Sequence, residues 1–484
     1  MRAEGFEPTT FGSGGRRSIQ LSYARGLPAG RAWHGSRKVG KARKWRKGGL
    51  KRVCADFVVH ASHLPEPIVD SPVYSPVLSK LFRGALLAAA IAAAPCASLP
   101  AQVPLRDVPK PVKEIEEPFT LITSIHEMKG GRVLVADAAE QQVSWVDFAT
   151  GTLTKLGRQG AGPGEYSAPA GIFRLAGDTI WIFDQLGQSG RFVSFLPDGK
   201  PGTTFPFISF NTADSSQIAQ PLIDARGMVY AMAVPLKIAG GGDAAAAGGA
   251  RANIQLADSS TLVRFDPRVV NGPRTKVARL KFFTSGGGRG GMTQQVVGTN
   301  IKMTMAYLGM NTGDTFALFN DGRIAIVRGT TYRVDFITPS GAPGVSATIP
   351  YEHVKVTAAD HELEMNAARR VVKDQMVMVK KMLPAGYTLE FEMTPPVSWP
   401  AEYPPVNASG VRPAPDGRLW VQRFVPERIG REQWDVIDAA GKLVARWQLP
   451  ANVRLLGLGE NGVVYAARKD NDDLLYLQRI QLPR

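Results

Sequence analysis

The chain has 484 residues, of which 44% are hydrophobic, and a formal net charge of +16. That is enough apolar material for a large core, and enough length for two or three ordinary domains or one large all-β unit. The charge is uneven: residues 1–101 carry 16 Lys and Arg against 5 Asp and Glu, leaving 42 against 37 for residues 102–484, so the body lacks the basic excess of a nucleic-acid binder and no nucleic-acid partner is expected.

The basic run "GSRKVGKARKWRKGGLKR" (35–52) neither alternates nor repeats and reads as a solvated, disordered tail. Upstream, "GFEPTTFGSGGRRSIQLSYAR" (5–25) resembles the peptide obtained when a bacterial tRNA gene is translated, which implies that residues 1–75 are a spurious N-terminal extension. Next comes "SKLFRGALLAAAIAAAPCASLPAQ" (79–102), where Lys80 and Arg83 precede an apolar run and small residues end at Leu99-Pro100-Ala101. This is the pattern of a Sec-type signal peptide over 76–101, cleaved near Ala101, and it implies export to the periplasm or beyond. The apolar run, about 11 residues, is too short to span a bilayer. Cys96 invites a lipid-attached reading, but Pro95 before it departs from a lipid-attachment box. Cys54 and Cys96 are the only cysteines, so residues 102–484 have no disulfide, thiol nucleophile or zinc-thiolate site.

Beyond the leader, "IHEMKGGRVLVAD" (125–137) and "IFRLAGDTIWIFD" (172–184) have one shape, a short strand, a tight turn and an apolar second strand. The shape returns in "LIDARGMVYAMA" (222–233), "FALFNDGRIAIVR" (316–328), "VRPAPDGRLWVQR" (411–423) and "LGLGENGVVYAAR" (456–468). Further strands follow most copies. A repeat of about four short strands fits a propeller blade, and six copies predict an all-β, six-bladed propeller over 102–484. Two repeat intervals are about twice the others, which raises an eight-blade count. Their extra residues do not read as blades: "AGGGDAAAAGGARA" (239–252) and "SGGGRGG" (285–291) are low-complexity loops. Insertions are therefore expected at about 236–260, 284–312 and 357–405.

The last insertion opens on "TAADHELEMNAARRVVKDQMVMVKKML" (357–383). Thr357 with Asp360 fits a helix cap, and Met365, Ala368, Val372, Met376, Val379 and Leu383 recur at helical spacing. The stripe suits packing on the propeller's rim or, being rich in Met, an adaptable binding face. After the sixth hairpin only "LLYLQRIQL" (474–482) remains, so a strand from "VPLRDVPKPVKEIEEPFTLIT" (103–123) is expected to complete the last blade and tie the ring shut.

The glycine-rich "GRQGAGPGEYSAPAG" (157–171) raises the question of a phosphate cradle. Such loops need a helix starting immediately after them, and here Pro169 and a strand follow, without a Lys-Ser/Thr pair. Gly157, Gly160, Gly162, Gly164, Tyr166, Pro169, Gly171, Ile172, Gly177, Ile180 and Asp184, with Arg191 and Phe192, instead resemble the inter-blade joint of NHL-type and TolB-like six-bladed propellers. The resemblance is specific over 125–199. It implies that Gly160, Gly162, Gly164 and Pro169 form a structural joint, and that Asp137 and Asp184 bridge neighbouring blades.

Catalytic motifs do not stand out in residues 102–484, where His126, His353 and His361 lack metal-ligand spacing. The residue ending the second strand of each repeat is Asp137, Asp184, Ala233, Arg328, Arg423 and Arg468 in turn. On the face where those strands end, the three arginines would form an anion-binding rim beside two acids; the opposing reading pairs each with local partners. The functional expectation is an exported, monomeric binding module that takes a peptide, glycan or protein on its face and needs no cofactor. Related six-bladed propellers include lactonases and lyases with a metal on the channel axis, so the resemblance implies the alternative of a metal-dependent hydrolase or lyase holding a divalent cation there.

Overall fold

The computed structural model describes residues 103–186, 189–208, 210–211, 216–239, 250–269, 272–281, 291–307, 310, 313–383, 385–396 and 398–483. The expectations for 1–75 and 76–101, both cysteines and most of the two glycine-rich stretches lie outside these residues.

Each of the six hairpins opens a four-stranded antiparallel sheet. Sheet 1 holds Ile122–Glu127, Val133–Asp137, Gln142–Val146 and Leu153–Lys155; sheet 2 holds Pro169–Arg174, Ile180–Leu186, Ser189–Phe195 and Pro201–Ile208. Sheet 3 is built from Ser216–Ile223, Val229–Ala239, Ser259–Phe265 and Thr275–Lys281, and sheet 4 from Thr315–Leu318, Ile324–Arg328, Arg333–Ile337 and Pro343–Thr348. Val406–Pro413, Leu419–Arg423, Gln433–Ile437 and Leu443–Gln448 make sheet 5; Val453–Leu458, Val463–Lys469 and Leu475–Gln481 make sheet 6.

The second strands explain the stacking. In "VLVAD" every residue is buried, because both faces of the strand are covered. Side chains alternate across a strand, so Val133 and Val135 enter a core shared with sheet 6 while Leu134 and Ala136 enter one shared with sheet 2. Val463, Tyr465 and Ala467 likewise face sheet 1, whereas Val464 and Ala466 face sheet 5. Three further interfaces repeat the device, each with one apolar cluster, so the sequence of shared cores runs through all six sheets and returns to the first. The fold is an all-β propeller.

Sheet 6 is completed from the other end of the chain. Lys113–Glu114 pairs antiparallel with its last strand, Glu114 opposite Gln478, and Ile115 beside it is fully buried in the core shared with sheet 1. A second stitch was not legible beforehand: Leu105–Asp107 lies parallel to the outer strand of sheet 5.

The insertions differ from the loops expected of them. Val229–Ala239 runs beyond sheet 3 and pairs with Ala250–Leu256; Gly291–Val297 and Asn300–Ala306 follow, and Thr388–Thr394 joins the far edge in parallel. The residues flanking the glycine tracts therefore form an accessory sheet. These strands satisfy their backbone by distant pairing, Asn300 opposite Thr388, which a segment read by itself conceals.

Helix α1, Ala358–Met382, starts with the expected capping box, in which Thr357 N–H and Oγ1 both donate to Asp360 Oδ2 at 2.8 and 2.7 Å. Its Met365 packs with Tyr307, Met310 and Tyr403 in a separate core, with Ala368 against it. Burial alone would raise the Asp360 carboxyl, but the donors of Thr357 and the ion pair with Arg428 outweigh it and hold the group at about 2.

Candidate functional site

Where the second strands end, the sheets present their turns on one face. A chamber opens there among sheets 5, 6 and 1 and holds about 730 Å³. Sheet 5 contributes the end of its second strand and the following loop, including Arg423, Arg431 and Glu432; sheet 6 contributes Asn452, Arg454 and Lys469; sheet 1 contributes Thr120 and Ala139. A slip in register between the pairs Val406–Arg423 and Val411–Val421 bends the first strand of sheet 5 and sets Asn407 in the wall. Glu364 reaches the same wall from α1.

The acids of this wall are largely engaged. Glu432 Oε2 accepts from Leu455 N–H and Trp434 Nε1–H, both at 3.0 Å. Burial pushes its pKa up against those donors and the charges of Arg454 and Arg412. Glu364 is raised by burial as well, and takes hydrogen bonds from Glu427 N–H at 3.0 Å and the Tyr403 hydroxyl at 3.2 Å. Glu427 pairs with Arg370, and Asp473 with Lys469 at 2.6 Å. Arg423 differs from all of these, because its buried Nε–H has no acceptor among the described residues.

A second chamber of about 240 Å³ shares Gln422, Glu432 and Arg454 with the first. Ile122–Ile125, Arg412, Trp434, Leu455 and Leu456 complete it. Arg412 Nη1 donates to Val411 O at 3.0 Å and Arg454 Nη2 to Ile122 O at 3.4 Å. Burial draws the Arg412 guanidinium below its usual pKa, opposed by the Glu432 carboxylate.

The five rim residues are distributed differently from one another. Asp137 is buried and accepts the N–H groups of Thr120, Leu121, Ala139 and Glu140 at 2.7–3.2 Å. Asp184, fully buried, accepts from Ser167 and Ala168 N–H and from Arg191 Nε. Arg328 spans Asp314 and Asp335 at 2.7 and 2.8 Å. Arg468 holds Glu114 at 2.7 Å and lies over the Tyr476 ring. Arg423 alone of the five lines the chamber. Sequence alignment of the hairpins therefore reached one wall residue. Arg412, Arg454, Glu432 and Glu364 were missed, and the only local signal was that of Arg454, an arginine inside an otherwise apolar strand.

The glycine loop is closed on itself. Gly160 N–H donates to Tyr166 O, and Gly162 N–H to Glu165 Oε2 at 2.8 Å. Arg191 meanwhile reaches across to the carbonyls of Gly160, Ala161 and Glu165. Gly164 has φ of +71° and a Cβ there would stand 2.6 Å from Pro201. Pro169 O accepts the Thr123 hydroxyl of sheet 1 at 2.8 Å, and Tyr166 hydroxyl accepts from Val143 N–H, so the segment joins sheets 1 and 2.

The histidines stand apart. His126 is pushed down to about 4, first by burial and then by Arg174; His353 bonds Glu402 and His361 stacks on Trp399. Among the described residues no three His, Cys, Asp or Glu side chains converge as metal ligands.

No family model and no curated protein matches the chain. Solved structures similar to it include a streptogramin B lyase, at 12% identity and a TM-score of 0.34, with 77% of this chain and 97% of that one covered. A calcium-binding protein, regucalcin, of Agrobacterium tumefaciens has 11% identity and a TM-score of 0.34 over 78% and 97%. A member of the DUF4221 family from Bacteroides vulgatus has 9% identity and a TM-score of 0.40 over 79% and 99%. Nothing about this chain's ligand follows from likenesses of that size. Among the described residues no helix is long and apolar enough to cross a membrane.

Proposed function

We propose that this chain is an exported binding module, a monomeric six-bladed propeller whose ligand occupies the chamber among sheets 5, 6 and 1. The blade count rests on the closed circuit of six shared cores, and export on the signal-like segment at 76–101. The observation that carries the binding reading is Arg423: the residue lines the chamber and its Nε–H is buried with no acceptor among the described residues, a desolvation cost that an anion seated beside the guanidinium would offset. The carboxylate whose charge Arg423 meets, Asp435, is already bonded to the Tyr332 hydroxyl and Arg446, and most wall acids hold donors of their own, which favours a ligand group as the further acceptor for Arg423. A carboxylate or sulfate on a glycan or peptide matches the guanidinium fork best.

The reading is tested with the purified full chain and a panel of oligosaccharides and peptides in matched neutral and acidic forms. Acidic members are expected to bind more tightly, and Arg423→Met is expected to weaken them about tenfold or more, the worth of a charged hydrogen bond. Equal binding of neutral and acidic members, unaltered by Arg423→Met, refutes it.

A further inference from the structure

The chamber among sheets 5, 6 and 1 has a second buried charge in its wall besides Arg423, and it is of opposite sign. Glu364 of α1 is 6% exposed and lines the same space. Among the described residues its donors are uncharged: Glu427 N–H at 3.0 Å, the Tyr403 hydroxyl at 3.2 Å and the Tyr307 hydroxyl. Two more carboxylates act on it, those of Glu427 and Asp360. Each of these has a guanidinium of its own, Arg370 on Glu427 and Arg428 on Asp360. The cluster therefore sets three carboxylates against two guanidiniums, and the one left over lines the chamber. Burial, and then the two neighbouring carboxylates, push the Glu364 carboxyl above its ordinary range against its donors, so its charge carries a desolvation cost as the wall stands. Other charges of the wall are answered: Lys469 pairs with Asp473 and Arg431 with Asp107, while Asp472 is exposed to water. A cation beside Glu364 and an anion beside Arg423 would offset both costs together.

We infer that the ligand of this chamber is a zwitterion, whose ammonium pairs with Glu364 while its carboxylate takes Arg423. This rests on the reading of the chamber as an anion-binding site, and it narrows the ligand to compact molecules carrying both charges, a short peptide with free termini or an amino-uronic sugar. About 730 Å³ is room for a ligand of that size. Glu364 then sets specificity, because the same carboxylate that holds an ammonium repels a second acidic group.

The test is isothermal titration of the full chain at neutral pH. Alanine peptides of two, three and four residues, which cover the lengths such a chamber admits, are compared with their N-acetylated forms, and glucosaminuronate with its N-acetyl form. For the sugar or at least one peptide length, the free amine is expected to bind about tenfold or more tighter than the acetylated form, the worth of a charged hydrogen bond. Glu364→Gln keeps an oxygen for Glu427 N–H and the two hydroxyls, and is expected to erase that preference while the acetylated ligand binds as well or better. Arg423→Met is expected to weaken both forms and keep their ratio. The comparison of free with acetylated ligands needs no variant, so it serves even if Glu364→Gln fails to fold. Tighter binding of a peptide assigns the ligand to peptides and tighter binding of the sugar to amino-uronates; either supports the zwitterion. Equal binding of free and acetylated forms overturns it, as does a preference that survives Glu364→Gln or vanishes in Asp472→Asn, or the absence of binding by every probe. If acetylated forms bind and Arg423→Met weakens them, the anionic reading stands without the zwitterion; if no binding depends on Arg423, both fall.

Discussion

Arg191 is the side chain whose removal most directly tests how sheets 1 and 2 are joined. Its Nε donates to fully buried Asp184 at 2.9 Å, and its other nitrogens hold Gly160 O, Ala161 O and Glu165 O at 2.6–3.0 Å. Arg191→Met preserves most of the stem and removes every one of these bonds, leaving a buried carboxylate with only two backbone donors, Ser167 and Ala168 N–H. Breaking a buried pair from one side costs about 3–5 kcal/mol. For a unit of roughly 380 residues, Val103–Arg484, an unfolding entropy of about 2.1 cal/mol/K per residue amounts to about 0.8 kcal/mol/K, so the melting temperature should fall by about 4–6 °C. Asp184→Asn keeps an oxygen for Ser167 and Ala168 and discharges the pair, and so should cost about half as much. Calorimetry of the two single variants and the double variant measures this, with a coupling of about 2 kcal/mol expected. A fall below about 1 °C for Arg191→Met, or a larger loss for Asp184→Asn, would show that the loop is held by something other than this arginine.

Gly164→Ala places a Cβ at positive φ and 2.6 Å from Pro201, whereas Gly162→Ala has no positive φ and meets the Glu165 carboxylate at 3.1 Å. The first should lose about 1–3 kcal/mol and the second under about 1 kcal/mol in chemical denaturation; equal losses refute the assignment. The Asp360 carboxyl is held at about 2 against an ordinary 3.8, so the unfolded chain takes up that proton first. The stability it provides is therefore complete above pH about 4 and disappears as pH falls toward 2. Comparing acid unfolding of the native protein with Asp360→Asn should show a shallower slope for the variant in that window, and superimposable slopes would remove Asp360 from the account.

What was legible in the sequence is what nearest neighbours determine. The apolar run Val133–Ala136 and its counterparts announce strands covered on both faces, and the tight turns between strands announce hairpins, so six sheets could be anticipated. The accessory sheet could not, because Asn300–Ala306 and Thr388–Thr394 meet only through a parallel pairing across 88 residues. The chamber was hidden for the same reason: Thr120 and Lys469 belong to one wall and to opposite ends of the described chain. Aligning hairpins found Arg423 by its strand-end position, but the same position gave Arg328, paired with Asp314 and Asp335, and Arg468, paired with Glu114, acids that all lie outside the hairpin being aligned. A period exposes equivalent places in the backbone. It does not reveal which of those places already have a counter-charge.

The strand at Lys113–Glu114 sets an order of events. Gln478 and Glu114, which meet on it at 2.6 Å, are 364 residues apart, nearly the greatest separation the folded unit offers, and closing so large a loop is slow. The segment made earliest must stay unpaired until the segment made last has appeared, so five sheets can mature while the sixth waits. A ribosome that still holds the C-terminus therefore holds an open arc, and the ring becomes whole only on release.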